Sequence, residues 1–333
     1  MRIIATCMAA NEADVIEAFV RHNAALLDAL VVLDHASIDA TSRILRSLGE
    51  EGFRLVVLRD NDRAFRQNTR QTWLARHYLE RLDADFCFAL DADELIKVSS
   101  RAALERALGA IPADAAGGVA VQNYVGPTPT GDDGAEPNPV RRLTHRMLVE
   151  RKQAHKAVVP RFFARDPALH VSAGNHAVVR VGAGGVAAIP HVRLDGAFLA
   201  HYPVRSPRQV ARKALLGWLS HRLALPPGSG ESLASHWRGM FEGLARGEIG
   251  VDEALARRAI ALYVGPGADG VDRQVRPEEL TLDPLAVGYE LRYTDPGGGL
   301  APLAALATWA DRLVSELKSA PSGTGTPAAG PRA

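Results

Sequence analysis

The chain of 333 residues is poor in cysteine (two), methionine (four), lysine and aromatic residues, the last at 6%. Its two cysteines, Cys7 and Cys87, lie inside apolar strand-like runs. They read as buried thiols and exclude a disulfide framework or a cysteine-built zinc site. No apolar run approaches the roughly 20 residues that cross a bilayer. The opening apolar run, residues 3–8, is too short for a secretory core and no cleavage site follows it. A cytoplasmic protein is expected, with peripheral contact at a membrane left open. Net charge is missing too: 39 Lys and Arg meet 38 Asp and Glu, a formal +1. Coating nucleic acid needs an excess of cations, so no nucleic-acid partner is expected. Lysine occurs only at Lys97, Lys152, Lys156, Lys213 and Lys318. The arginine that replaces it suits phosphate contacts, and it equally fits a high-GC bacterial genome.

What is present is globular: 47% hydrophobic and 23% charged residues. Short apolar runs at 3–8, 29–33, 53–58 and 85–90 predict strands. Between them, 12–27, 40–48 and 64–82 carry helical spacing, with Val15 and Phe19, Ile44 and Leu48, and Leu74 and Tyr78 as face residues. This alternation predicts an α/β fold, a mostly parallel sheet with helices on both faces, whose carboxyl edge binds ligands. Ser100 can cap a further helix, and 118–125 is strand-like. Residues 127–139 are turn-formers, expected to form a loop that closes over a ligand. Between 141 and 165 eight Lys and Arg surround a single acid, Glu150. Residues 170–181 and 186–194 can pair through the glycine-rich 182–185. From 207 on the chain reads as mostly helical, at 210–223, 232–244, 251–263 and 302–317. The parts expected are 1–125, an α/β part; 126–206, a further part of the same domain; 207–319, a helical extension; and 320–333, a disordered tail.

Leu90-Asp91-Ala92-Asp93-Glu94 places three carboxylates directly after the fourth strand, at the ligand edge. Such a cluster repels itself unless a cation sits on it. Hard oxygens suit Mg²⁺ or Mn²⁺, which can in turn hold a diphosphate. A solvated acidic turn capping the next helix is the plainer alternative. His201 ends the apolar run 197–200 and is the first candidate for a further metal ligand, with His176 second. Arg66 and Arg70 share a helix face that can hold a phosphate or simply be solvated. His155, beside Lys156, is a candidate phosphate or acceptor contact.

Three motifs then resemble family-2-like glycosyltransferases. Asn11-Glu12-Ala13-Asp14-Val15-Ile16-Glu17 is similar to their opening "NE-x-x-x-I-x-E". Asp34-His35-Ala36-Ser37-Ile38-Asp39-Ala40-Thr41 resembles "D-N-x-S-x-D-x-T", departing at His35 and Ala40, and Leu90 to Glu94 resembles "L-D-x-D-E". Gly174-Asn175-His176 and His201-Tyr202-Pro203-Val204-Arg205-Ser206 resemble the "G-x-H" and "H-Y-x-x-R-S" of the subgroup with the D-x-D-E form. The resemblance implies a GT-A fold, a nucleotide-diphosphate sugar as donor and a glycan or other hydroxyl as acceptor. It implies nucleotide contacts at Asn11, Glu12 and Asp34, with Arg70 added, and a metal at Asp91 and Asp93. Asp93 is the direct ligand and Asp91 lies nearer the ribose.

An inverting transferase needs a carboxylate base. Asp132, Asp133, Glu136, Asp195 and Glu94 are candidates, with Glu94 and Asp195 kept foremost. The function expected is metal-dependent, hexosyltransferase-like transfer to an envelope glycan or related acceptor. A haloacid-dehalogenase-type phosphohydrolase and a non-catalytic nucleotide-sugar or glycan-binding module are the alternatives.

Overall fold

Strands and helices alternate in the computed structural model, which describes residues 1–126, 136–150, 153–225, 235–264 and 275–295. In chain order, β1 is Ile3–Ala9, α1 Ile16–Ala24, β2 Ala29–His35, α2 Thr41–Glu50, β3 Leu55–Asp60, α3 Gln67–Arg81 and β4 Phe86–Leu90. There follow β5 (Glu94–Lys97), α4 (Arg101–Gly109), β6 (Ala116–Asn123), α5 (Pro139–Arg142), β7 (His145–Met147) and β8 (His155–Pro160). Next come β9 (Leu169–Val171), β10 (Val178–Gly182), β11 (Gly185–Ala188) and β12 (His191–His201). The remaining elements are α6 (Pro207–Ala224), α7 (Ser235–Ala245), α8 (Glu253–Val264) and β13 (Leu280–Leu282). Most of the loop 127–139, with Asp132 and Asp133, lies outside the described residues, as do the expected helix 302–317 and the tail 320–333.

Eight strands form one sheet in the order β3-β2-β1-β4-β8-β6-β12-β5. β1, β2, β3 and β4 are mutually parallel, as are β6 and β12. β8 runs antiparallel between β4 and β6, and β5 runs antiparallel along β12. The sheet is therefore mostly parallel, as expected. Side chains alternate across it with period two. Ile3, Ala5 and Cys7 face α1, α2 and α4 through Phe19, Ile44, Leu45 and Leu104. Ile4 and Met8 face α3 through Leu74, Ala75 and Leu79. Both faces of β1 are covered, which is why its sequence is apolar without a break. The two thiols are buried and free. No helix among the described residues is long and apolar enough to cross a membrane.

β10 and β11 form the inner part of the expected hairpin, joined at Gly182 and Gly185, while 169–171 turns back as β9 on the other edge of β10 and 191–194 belongs to β12. Helices α6, α7 and α8 pack through Ala214, Trp218, Phe241, Leu255 and Ala259. Beyond residue 275 the described chain departs from the expected helical extension. β13 pairs antiparallel with β7, and 283–295 runs as an extended strap. The cause is a period of two: Leu285, Val287, Tyr289 and Leu291 pack on Tyr124 and Tyr202 while the residues between them face water. The strap ends on Glu17 of α1. The N–H groups of Arg292, Tyr293 and Thr294 donate to this fully buried carboxylate at 2.8, 2.7 and 2.8 Å, and Arg21 Nε donates at 2.8 Å.

Candidate metal and diphosphate site

The four parallel strands β1 to β4 end along one edge, and the acidic turn follows β4 there. The N–H of Glu94 donates to the Asp91 carbonyl at 3.1 Å, and Glu94 Oε2 accepts the N–H of Asp91 at 2.9 Å. The chain then enters β5, not a helix, so the turn does not serve as a helix cap. The β5–β12 register sets Glu94 opposite His201, and the β6–β12 register sets Asn123 on the other side of it. Strand pairing alone thus brings the acidic turn, His201 and Asn123 together.

Asp93 is almost fully buried. Its Oδ1 lies 3.6 Å from His201 Nε2. Its Oδ2 accepts from Lys213 Nζ at 3.2 Å and from Arg205 Nη1 at 3.3 Å. Burial works to raise the Asp93 pKa, but Lys213, His201 and Arg205 outweigh it and hold the carboxyl below its usual range. Burial pushes the His201 imidazole down to about 4, with Asp93 opposing. His201 Nδ1 lies 2.8 Å from Asn123 Oδ1, and Tyr263 of α8 meets the ring edge-on at 5.5 Å.

Asp91 points elsewhere. Its Oδ1 accepts from Gln67 Nε2 at 2.8 Å and Asn175 Nδ2 at 3.0 Å, and its Oδ2 pairs with Lys156. Lys156 Nζ also lies 3.0 Å from Glu94 Oε1. Glu94 is fully buried beneath the turn. Burial, together with Asp91 and Asp93, pushes its pKa up to about 8 against Lys156. Among the described residues no three His, Cys, Asp or Glu groups gather closely enough to hold a metal by themselves. Of the expected set, Asp93 and His201 come together. Asp91 is not paired with them, because Lys156, Gln67 and Asn175 take its carboxylate.

The other expected residues occupy the same edge but are engaged in holding its loops. Asn11, at φ 58°, accepts the Ile38 N–H at 2.8 Å and so ties the loop after β1 to the loop after β2. Glu12 pairs with Arg205. Asp34 accepts the Ser37 N–H at 3.2 Å and the Ser42 hydroxyl. Arg70 binds Asp60 at 2.6 Å and the Ala64 carbonyl at 2.7 Å, which folds the loop after β3. Arg66 pairs with Asp62 at 2.7 Å at the surface. His176 is exposed and its Nδ1 meets the His155 carbonyl at 2.9 Å, whereas its neighbour Asn175 reaches Asp91. His155 and Lys156 are consecutive on β8 and so point to opposite faces, and Lys156 is the one at the acidic turn. Glu136 accepts the Asn138 N–H at 2.8 Å. Asp195 is exposed at the bulge of β12, between Arg193 and Phe198. Arg193 and His201 pair with β6 residues five apart, Gly118 and Asn123, so at about 3.3 Å each Arg193 lies roughly 17 Å along the strand from His201 and Asp195 falls within that span.

Three cations at this site had no role assigned from the sequence. Lys156 and Lys213 are two of only five lysines in the chain, and that scarcity is the signal that could have singled them out. Arg205 stands in the H-Y-x-x-R-S stretch. It is buried and binds Asp14 at 2.6 Å, Glu12, Asp93 and the Tyr202 carbonyl at 3.0 Å. The same stretch ends in Ser206, whose side chain accepts the Gln209 N–H at 3.1 Å and caps α6 ahead of Pro207. The cap fixes where α6 starts, and therefore where Lys213 falls. Ser206→Ala is expected to cost about 1 kcal/mol. Urea denaturation measures it, and an unchanged midpoint would show that the cap carries no stability.

No known family model and no curated protein matches the chain. Solved structures do. The mannosyltransferase PcManGT from Pyrobaculum calidifontis, in complex with GDP-Man and Mn²⁺, is 17% identical with a TM-score of 0.38, covering 79% of this chain and 81% of that one. TarS residues 1–349 from S. aureus are 13% identical with a TM-score of 0.32, covering 74% and 71%. Glucosyl-3-phosphoglycerate synthase from Mycobacterium tuberculosis, in complex with Mn²⁺, UDP and phosphoglyceric acid, is 17% identical with a TM-score of 0.27, covering 48% and 56%. The fold itself rests on its own strand order: a mostly parallel eight-stranded α/β sheet.

Proposed function

We propose that this chain is a metal-dependent glycosyltransferase that moves a sugar, of hexose type, from a nucleotide-diphosphate donor to a hydroxyl of a bacterial envelope glycan or related acceptor. The observation that carries this reading is the pair Asp93 Oδ1 and His201 Nε2, 3.6 Å apart at the carboxyl edge of a parallel sheet. Their separation and chemistry fit Mn²⁺ or Mg²⁺, which binds few protein ligands and takes the rest from water and phosphate. Asp93 and His201 would hold the ion. When bound, it supplies neutralisation of the charge that builds on the leaving diphosphate.

The chain's own residues prepare that site. Arg205 anchors Asp93 from behind and keeps its Oδ1 turned to His201. Lys213, with a third of its side chain exposed, presents a second positive charge to the diphosphate. Asp91 remains the group nearest the ribose, and Asn11, Glu12, Asp34 and Arg70 shape the nucleotide side through the loops they hold. The phosphohydrolase alternative needs an aspartate at the end of the first strand, where this chain has Ala9 and Ala10.

A nucleoside diphosphate is expected to raise the thermal stability only together with Mn²⁺ or Mg²⁺. At about 100 times its Kd the gain is about 2.7 kcal/mol. A panel of nucleoside diphosphates, with Mn²⁺ or with chelator, reads it by thermal shift. Equal stabilisation in chelator refutes the metal site. Mn²⁺ titrations of two variants test the ligand choice: His201→Ala should weaken binding about 10-fold or more, and His176→Ala should leave it near wild type.

A further inference from the structure

Glu150 is the single acid in the basic stretch 141–165, and nothing in the proposed chemistry uses it directly. Both of its carboxylate oxygens are taken by one residue. Oε1 accepts the Asn123 backbone N–H at 2.6 Å, and Oε2 accepts Asn123 Nδ2 at 2.9 Å. A carboxylate only accepts, so the NH₂ end of the Asn123 amide must face Glu150. Its Oδ1 is thereby turned to His201 Nδ1, 2.8 Å away. An amide oxygen also only accepts, so the hydrogen of the neutral imidazole must sit on Nδ1. That leaves Nε2 with its lone pair directed at Asp93, 3.6 Å away.

We infer that Glu150 is a positioning residue which, through the Asn123 amide, holds His201 in the tautomer whose Nε2 lone pair faces Asp93. A reversed amide would present NH₂ to Nδ1, drive the hydrogen to Nε2 and remove the ligand atom the histidine offers. Outer groups that fix a ligating histidine are a recurring feature of metal sites. The inference deepens the proposed function and rests on it only where metal affinity is concerned.

The polarity of the chain of hydrogen bonds supplies the test. In Glu150→Gln the new side chain can still accept the backbone N–H, but its NH₂ end now faces Asn123. The Asn123 amide is expected to reverse, and His201 to carry hydrogen on Nε2. Adding Asn123→Asp to Glu150→Gln moves the carboxylate one step inward. The carboxylate now at position 123 accepts both from the amide now at position 150 and from His201 Nδ1, and the original tautomer returns.

The readout is ¹H–¹⁵N NMR of the full-length, metal-free protein labelled at histidine, with His201 assigned from the spectrum of His201→Gln. Wild type should show Nδ1–H, Glu150→Gln a dominant share of Nε2–H, and the double variant Nδ1–H again. Mn²⁺ affinity should follow, weakening about 10-fold or more in the single variant and recovering in the double one. Nε2–H in wild type, no tautomer change in Glu150→Gln, or no recovery in the double variant each overturns the inference. If Glu150→Gln does not fold, the double variant decides, supporting the inference with Nδ1–H and overturning it with Nε2–H. If the tautomers follow as stated but wild type binds no Mn²⁺, the positioning role stands and the proposed metal site falls.

Discussion

Asp93→Asn should lower sugar transfer about 10³-fold or more, the scale on which loss of charge stabilisation at a leaving group is felt. The amide keeps the shape of the carboxylate and removes the anion that would bind the cation opposite His201. The same change takes a partner from Lys213 and Arg205, so about 1.5–3 kcal/mol of stability should go with it. Metal-dependent breakdown of nucleotide sugars, followed without acceptor, gives the rate, and a denaturation curve shows that the variant assayed is folded. Turnover like wild type at saturating Mn²⁺ would remove Asp93 from the site.

Arg205→Met should cost about 3–5 kcal/mol, because it leaves buried carboxylates without their shared cation. Methionine fills much of the arginine stem but offers nothing to Glu12, Asp14 or Asp93. Arg205→Lys should recover little, since one ammonium cannot span acceptors arranged around a planar fork. Equilibrium urea unfolding of both variants measures this. A loss below about 1 kcal/mol in Arg205→Met would mean that the carboxylates find water or Arg212, whose Nη2 already donates to Asp14 Oδ1 at 3.1 Å, and that Arg205 is not what holds the two acidic loops together.

Much of this architecture is written in local patterns. The runs that became β1, β2 and β4 are continuous and apolar because both sheet faces are covered there, β3 is an edge strand left partly open, and the amphipathic α1, α2 and α3 alternate with them. The acidic turn and His201 stand out in the same way: each directly follows an apolar run, 85–90 for the turn and 197–200 for the histidine that ends β12. Strand direction is not local, so the reversed β8 and β5 left no trace in composition. The strap was open to reading, since Leu285, Val287, Tyr289 and Leu291 alternate, but the helical spacing before them invited continuation. The network behind the site was hidden by distance along the chain. Arg205 meets Asp14 across 191 positions and Asn123 meets His201 across 78, pairings that no window of sequence contains.

The grip of Glu17 on Arg292, Tyr293 and Thr294 spans 275 to 277 positions and so sets an order of events during synthesis. At about 5–20 residues per second, α1 leaves the ribosome roughly 14 to 55 s before the peptide groups that will bind its carboxylate exist. Throughout that interval the acid must stay in water and Tyr124 and Tyr202 lack their cover. The amino-terminal layers can therefore collapse early, but they cannot close. Their completion waits on residue 294, and a nascent chain stalled before it has all eight strands of the sheet but an open seam along α1, a form that chaperones and proteases can tell from the finished protein.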